Sequence, residues 1–414
     1  MDIKDKTESF NRSFESLEEF VDVISEQLQC PVTIEDANHD LLAYSTHDKQ
    51  TDEARISTII GRRVPEKVIN RLWKEGIIPK LHQSEEPLII SSIPSIGLGN
   101  RAAIAIRKNQ EVLGYIWLLE GEQKLNQASV DLLKIVAEKA KNQLLKQNIQ
   151  RKKKEQNHQE FLWQLITGHL EDHREITSKL YRLGLPTSKS LAILLFSFNN
   201  LDTELSTKLL YVAKTTQKLQ SLIQTIDDNH LIVLVATENQ GSSNHILRTF
   251  VQTFKQQISE RFSMKNVVTG IGYAYEDFKL IKNSYEEALR VVQLKKLYRD
   301  ELMNSEYMHE LGVFKYIDIL KKAEAIHGVE KSAVIEQLKD YDRKNQTNLV
   351  ETLEVILNKD GNVNEAAKKL HCHVNTLNYR MKRIQEITGI SLKDPVQKLG
   401  LYLDLKLLNK SNEL

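Results

Sequence analysis

A chain of 414 residues is too long for one ordinary hydrophobic core, and three folded domains are expected. Hydrophobic residues at 41% and charged residues at 27% exclude wholesale disorder, and a formal net charge of +1 excludes a uniform polycation, so any affinity for nucleic acid must come from a local basic face. The two cysteines, Cys30 and Cys372, offer neither a disulfide framework nor metal-ligand spacing. The polar start MDIKDKTESF and the absence of an apolar run near 20 residues predict a cytoplasmic protein with no membrane partner.

Residues 16–29 place Leu17, Phe20, Val21, Ile24 and Leu28 at helical spacing, which predicts one apolar stripe. Strand-like runs follow at residues 31–34, 41–44, 87–91, 101–106 and 112–119, the last two joined by a turn at Lys108-Asn109-Gln110. Irregular loops are expected between about residues 45 and 100, and with the strands they suit a concave small-molecule pocket in an α+β sensor domain. From Gln127 the period is helical again, with Leu133, Val136, Ala137, Ala140 and Leu144 on one side, and it runs on toward Leu165. Residues 147–160 hold Arg151-Lys152-Lys153-Lys154 and almost nothing apolar. Two readings stand: a connecting helix that pairs with a partner chain at its two apolar ends, or a solvated single helix. The basic run itself reads as a water-facing surface.

A second α/β block is expected over residues 190–297. Its strands fall at residues 191–198, 230–235 and 267–272, with an amphipathic helix at 205–223 and a later helix carrying Leu280, Tyr285, Ala288, Leu289 and Val292. This order, with a hairpin at Asp227-Asp228-Asn229, resembles the GGDEF-like domain found centrally in regulators of the PucR and CdaR type. In an active diguanylate cyclase the hairpin carries paired glycines that admit the nucleotide and an acid that binds metal. Here it reads Asp227-Asp228-Asn229-His230-Leu231, so the resemblance implies a degenerate domain that acts as a scaffold.

Towards the C-terminus, Leu349, Leu353, Ile356 and Leu357 share a helical face, and Lys359-Asp360-Gly361 ends it. Asn362-x-x-Glu365 then reads as a capping box opening a short helix with Val363, Ala366, Ala367 and Leu370. A turn at residues 371–374 leads to a longer basic helix anchored by Leu377, Met381 and Ile384. Small alanines on a short helix, a tight turn and a basic second helix form the architecture of a DNA reader. Asn375, Asn378, Tyr379 and Lys382 are left facing outward. Between Val363 and Arg383, five cations (Lys368, Lys369, Arg380, Lys382, Arg383) oppose only Glu365. Asparagine can bind adenine bidentately, and lysine and arginine neutralise phosphates.

Residues 349–404 closely resemble the C-terminal helix-turn-helix of PucR-type regulators, through Gly361-Asn362, Glu365-Ala366-Ala367, His373-x-Asn375-Thr376-Leu377-x-Tyr379-Arg380, Ile384, and Thr388-Gly389 before Asp394-Pro395. The resemblance implies double-stranded DNA as partner, with His373, Asn375, Thr376, Asn378, Tyr379, Arg380, Lys382 and Arg383 at the interface. Val374 and Asn378 stand where the family commonly has arginine, so the family's arginine contacts are not carried over to those two positions. Asp394-Pro395 reads as an N-cap followed by proline at N1, opening a last helix. Within the family the chain most resembles activators of proline utilisation from spore-forming bacteria. That makes proline the first effector to consider, a homodimer or higher homo-oligomer the expected assembly, and RNA polymerase a further candidate partner.

The expected organisation is an α+β multidomain chain: a GAF-like sensor at 1–126, a connecting helix at 127–168, a degenerate GGDEF-like domain at 169–300, a helical linker at 301–346 and an all-α helix-turn-helix domain at 347–414. No catalytic, cofactor or metal residues are assigned. His371-Cys372-His373 cannot easily converge on one ion, and Ile96-Gly97-Leu98-Gly99-Asn100 lacks the third glycine and Lys-Ser/Thr of a phosphate loop. Two other functions compete with the regulator: a nucleotide-binding or cyclic-nucleotide enzyme built on the central domain, and a ligand-gated protein whose C-terminal helices bind another protein.

Overall fold

The computed structural model describes residues 10, 14, 16–45, 51–109, 111–121, 124–217, 219–237, 240–327 and 333–408. They divide into two compact units, Met1–Leu289 and Arg290–Leu414.

The first unit opens with α1 (Leu17–Leu28), capped where the Ser16 hydroxyl accepts from the Glu19 amide. Five strands follow, β1 (Val32–Asp36), β2 (Leu41–Tyr44), β3 (Leu88–Ile90), β4 (Arg101–Lys108) and β5 (Glu111–Leu119). They form one antiparallel sheet in the order β2-β1-β5-β4-β3. The period of two sorts their side chains cleanly. Val32, Ile34, Ile104, Ile106, Ile116 and Leu118 pack toward α1 and the long helix α5 (Gln127–Ile166), while Ala103, Ala105, Tyr115 and Trp117 pack on the opposite face. All five strands lie where the alternation places them. Gln110 of the expected turn, and residues 46–50 of the expected loop, lie outside the described residues.

Two expectations for this region are overturned. Residues 53–83 are not irregular loop but three helices, α2 (Glu53–Gly61), α3 (Glu66–Lys74) and α4 (Ile77–Gln83), which cover the second face of the sheet. None exceeds nine residues, too few for a helical period to declare itself amid Glu, Lys and Arg. The apolar ends of α5, offered as pairing surfaces for a second chain, are instead buried within this one. Leu132, Leu133, Val136, Ala137, Ala140 and Leu144 complete the core of the first sheet, and Phe161, Leu162, Leu165 and Ile166 are buried at the other end.

The central sheet contains β6 (Ser190–Ser197), β7 (Gln220–Asp227), β8 (His230–Thr237) and β9 (Val268–Ile271) in the order β7-β8-β6-β9. It is flanked by α6 (His173–Arg182), α7 (Thr203–Thr215), α8 (Gln240–Phe262) and α9 (Ile281–Leu297). The helix expected over 205–223 stops at Thr215. Its last stretch belongs to β7, an edge strand whose bulge between Ser221 and Ile223 breaks the alternation that would have marked it. Helix α8, absent from the sequence expectation, buries Leu247, Phe250, Val251, Phe254 and Ile258 on one stripe.

The second unit is helical. After α10 (Arg299–Leu302) and a 3-10 segment (Met308–Tyr316) come α11 (Ile317–His327), α12 (Ala333–Asn345), α13 (Leu349–Asn358), α14 (Val363–Lys369), α15 (Val374–Thr388) and α16 (Pro395–Leu408). Ile335 and Leu338 of α12, Leu349, Leu353 and Leu357 of α13, Ile384 of α15, and Leu401 and Leu405 of α16 share one core. The Asp342 carboxylate, at the end of α12, accepts from the Leu349 and Val350 amides at 2.8 and 3.0 Å, so one helix caps the next.

Candidate nucleic-acid interface

The site is built on α13, α14 and α15. Helix α13 ends with Asp360 and Gly361 at φ 53° and 80°, left-handed values that turn the chain. Asn362 then caps α14, its side-chain oxygen accepting from the Asn364 and Glu365 amides at 3.1 and 3.2 Å. The reciprocal half of the expected capping box is not made. The Glu365 carboxylate takes Lys368 at 3.0 Å, and the Asn362 amide donates to the Lys359 carbonyl.

Ala366 and Ala367 are buried beside Leu377, Val355 and Ile356, with Met381 packed against them. Small side chains there let α14 and α15 approach closely. His371 at φ 50° closes α14, and the Cys372 amide returns to the Ala367 carbonyl at 3.1 Å. His373 caps α15, its Nδ1 accepting from the Asn375 amide at 3.2 Å. The His-Cys-His run therefore forms the turn of the motif. Among the described residues, no group of three or more His, Cys, Asp or Glu side chains is arranged to hold a metal ion.

Along α15 the eight residues expected at the interface separate into two sets. His373, Asn375, Thr376, Asn378, Tyr379 and Lys382 are exposed, and Tyr379 presents a large aromatic ring that is 70% exposed. Arg380 and Arg383 are partly buried and committed within the chain. Arg380 donates to Thr352 Oγ1 of α13 at 3.2 Å. Arg383 donates to Tyr341 Oη of α12 at 3.0 Å, lies over that ring at 5.1 Å, and pairs with Glu386 at 2.9 Å. The bonds to Glu386 and Tyr341 hold its pKa above the ordinary arginine value.

Charge is distributed in the same way. Lys368 is paired with Glu365 and Arg383 with Glu386. Lys369 and Lys382 are exposed and, among the described residues, have no carboxylate partner. Sequence reasoning counted Lys369 in the basic cluster but did not place it at the interface. It also gave no sign of Thr352 and Tyr341, because their roles depend on side chains 28 and 42 residues distant. An exposed face that combines amide, hydroxyl and phenol groups with unneutralised ammonium groups can hydrogen-bond base edges and contact phosphates at once.

Residues 349–407 match the model of the PucR C-terminal helix-turn-helix domain, and residues 167–294 that of the GGDEF-like domain. The five-stranded N-terminal sheet with its helices is consistent with a GAF-like fold. The chain is 42% identical over 401 residues to the DNA-binding transcriptional activator AdeR of Bacillus subtilis (strain 168), covering 96% of this chain and 94% of that one. It is 30% identical over 408 residues to the proline-responsive transcriptional activator PutR of the same organism, covering 96% and 98%. A shorter match, 26% identical over 179 residues, spans 43% of this chain and 32% of the purine catabolism regulatory protein of that strain. No helix among the described residues is long and apolar enough to cross a membrane.

Proposed function

The chain belongs to the PucR-type family of DNA-binding transcriptional regulators, and from that premise we propose that it is a metabolite-responsive activator of a catabolic operon, with the N-terminal domain as sensor and α15 as the reading helix. The observation that carries this reading is the exposed face of α15, with Asn375, Asn378 and Tyr379 beside Lys382, which has no carboxylate partner among the described residues. Asn375 and Asn378 are assigned to base edges, and Thr376, Lys382, Lys369 and His373 to the sugar-phosphate backbone. Tyr379 is placed between the two groups. Arg380 and Arg383 are positioning residues, which hold α15 on α13 and α12.

Proline is the first effector to test, because one full-length relative is a proline-responsive activator and the chain resembles such proteins along its whole length. Footprinting across promoters adjoining the gene, with and without proline, tests the reading directly. Sequence-specific protection near one promoter, with transcription rising on effector addition, is the expected result. Binding that is indifferent to sequence would defeat it.

The central domain is assigned a scaffold role. Its hairpin residues Asp227, Asp228 and Asn229 contain no glycine, and Asn229 is engaged internally, its side-chain oxygen accepting from the Leu201 amide at 2.9 Å. Incubation of the chain with GTP and magnesium should yield no cyclic dinucleotide. Turnover above the no-enzyme rate would reinstate the enzymatic alternative.

A further inference from the structure

Helix α16 has two apolar faces, and the chain covers only one of them. Leu401 and Leu405 are buried in the core that α16 shares with α12, α13 and α15. On the outer side Val396 is 77% exposed, Leu399 is 54% exposed and Leu403 is half-buried. Together with Gly400 they stand at i, i+3, i+4 and i+7, the spacing of a single stripe along a helix. The stripe is fixed at its start, where the Asp394 carboxylate accepts from the Val396 and Gln397 amides at 2.9 and 3.3 Å.

Gly400 lies in the interior of this helix, where glycine is less favourable than alanine because it gives up more backbone freedom. Nothing within the chain asks for it. Its backbone is not left-handed, and a Cβ built on it would meet no atom within 4 Å. The glycine therefore leaves a hollow on the outer surface, set between Val396, Leu399 and Leu403. Apolar side chains around a hollow on a well-anchored helix form one half of a helix packing contact.

The stripe is complementary to itself. When two copies of α16 run antiparallel with Leu399 of one opposite Gly400 of the other, the same register sets Val396 opposite Leu403. Each leucine then enters the hollow left by the other copy's glycine, and every pair occurs twice, as a two-fold contact requires. Charge follows the same register. Asp404 of one copy falls within one helical turn of Lys393 of the other, and neither residue has an ion-pair partner among the described residues. A parallel pairing would instead set glycine against glycine and each charge beside its own kind.

We propose that α16 pairs antiparallel with α16 of a second copy of this chain, through Val396, Leu399, Gly400 and Leu403, and that this contact fixes the distance between two α15 reading helices. The proposal deepens the reading of the chain as a DNA-binding regulator and rests on it for its purpose. Two readers related by a two-fold axis recognise two half-sites at a spacing that the protein sets. One helix pair buries less than the roughly 1,600 Å² of a typical stable complex, so the copies associate at micromolar rather than nanomolar concentration. An operator that carries both half-sites then holds them together.

Cysteine cross-linking on the full chain tests the register. A mixture of Val396→Cys and Leu403→Cys chains, one of them carrying a mass tag, should oxidise to a disulfide-linked heterodimer. Either variant alone should stay uncrosslinked, because each cysteine then lies seven residues out of register with its own copy, and so should the unsubstituted chain with Cys30 and Cys372. Cross-linking of a single variant with itself would mean a parallel pair, and no cross-link in the mixture would mean no pair; both overturn the proposal. Leu399→Asp and Gly400→Leu change outward positions, so both should keep the circular dichroism spectrum while light scattering at micromolar concentration falls to the mass of one chain. Both should bind a single half-site as the wild type does and lose at least about tenfold in affinity on an operator with two. A folded Leu399→Asp that keeps the wild-type mass and two-site affinity also overturns the proposal. Cross-linking needs no DNA, so a chain that pairs as described yet recognises no operator would remove the regulatory reading alone, whereas specific binding without the cross-link would remove the helix pair alone.

Discussion

Lys382 shows how one side chain separates a structural surface from a functional one. It is exposed, on the outer face of α15 and without a carboxylate partner among the described residues, whereas Arg383 beside it is held by Tyr341 and Glu386. Phosphate contacts release counterions, so Lys382→Ala should weaken binding to all DNA sequences and shallow the salt dependence by about one unit. Anisotropy titrations at several salt concentrations measure this, and an unchanged slope in a folded variant would take Lys382 off the backbone. His82 offers a second test at this scale. Its Nε2 bonds Tyr115 Oη at 2.6 Å, and burial, with nearby positive charge, pushes its pKa from 6.5 down to about 4. The folded chain therefore keeps His82 neutral where the unfolded chain would protonate it. This contribution is present in full above about pH 6.5 and is lost as pH falls toward 4, on the order of 2 kcal/mol. Thermal melts at pH 7.5 and 5 should show a larger loss for the wild type than for His82→Gln. Equal losses would mean that His82 titrates normally.

Between elements, β9 and the residue after it approach α9 closely. A Cβ on Gly272 would lie 1.9 Å from the Ser284 carbonyl oxygen, and one on Gly270 2.1 Å from that of Ala288. The Ser284 hydroxyl also accepts from the Ile193 amide of β6 at 2.9 Å, tying the helix to the sheet. The contact atoms are backbone, so the helix must shift as a body to accept a methyl group. Gly272→Ala should destabilise the domain by about 3 kcal/mol, as overpacking in a closed core does. Denaturant midpoints measure this, and a loss under 1 kcal/mol would show that α9 yields easily. The same dependence on neighbours governs the reader, where α15 is placed by Ala366 and Ala367 beneath it and by Arg380 on Thr352.

At the scale of the whole molecule, one reading helix on a single chain reaches few base pairs. High specificity then calls for two readers in fixed spacing. A homodimer or larger assembly is accordingly expected, although the apolar ends of α5 lie in the chain's own core and do not supply the contact. Light scattering at micromolar concentration should report at least twice the 47.7 kDa mass of the chain. A monomer that still protects an operator would refute this.

Alternation over three to nine residues placed every strand of the first sheet, and a period of 3.6 placed α1, α5 and the helices of the reader, because both patterns are local consequences of which side of an element faces the core. The outward set Asn375, Asn378, Tyr379 and Lys382 was legible for the same reason: Leu377, Met381 and Ile384 define the inward side, and the rest must face out. Helices α2 to α4 were too short to show a period, and a bulge disguised β7. The partners of Arg380 and Arg383 and the hydrogen bond between His39 and Tyr211 belong to another class altogether. Each joins side chains from different elements, the last across 172 residues between His39 and Tyr211. Sequence spacing constrains only neighbours along the chain, and these groups become neighbours only when packing brings their elements together.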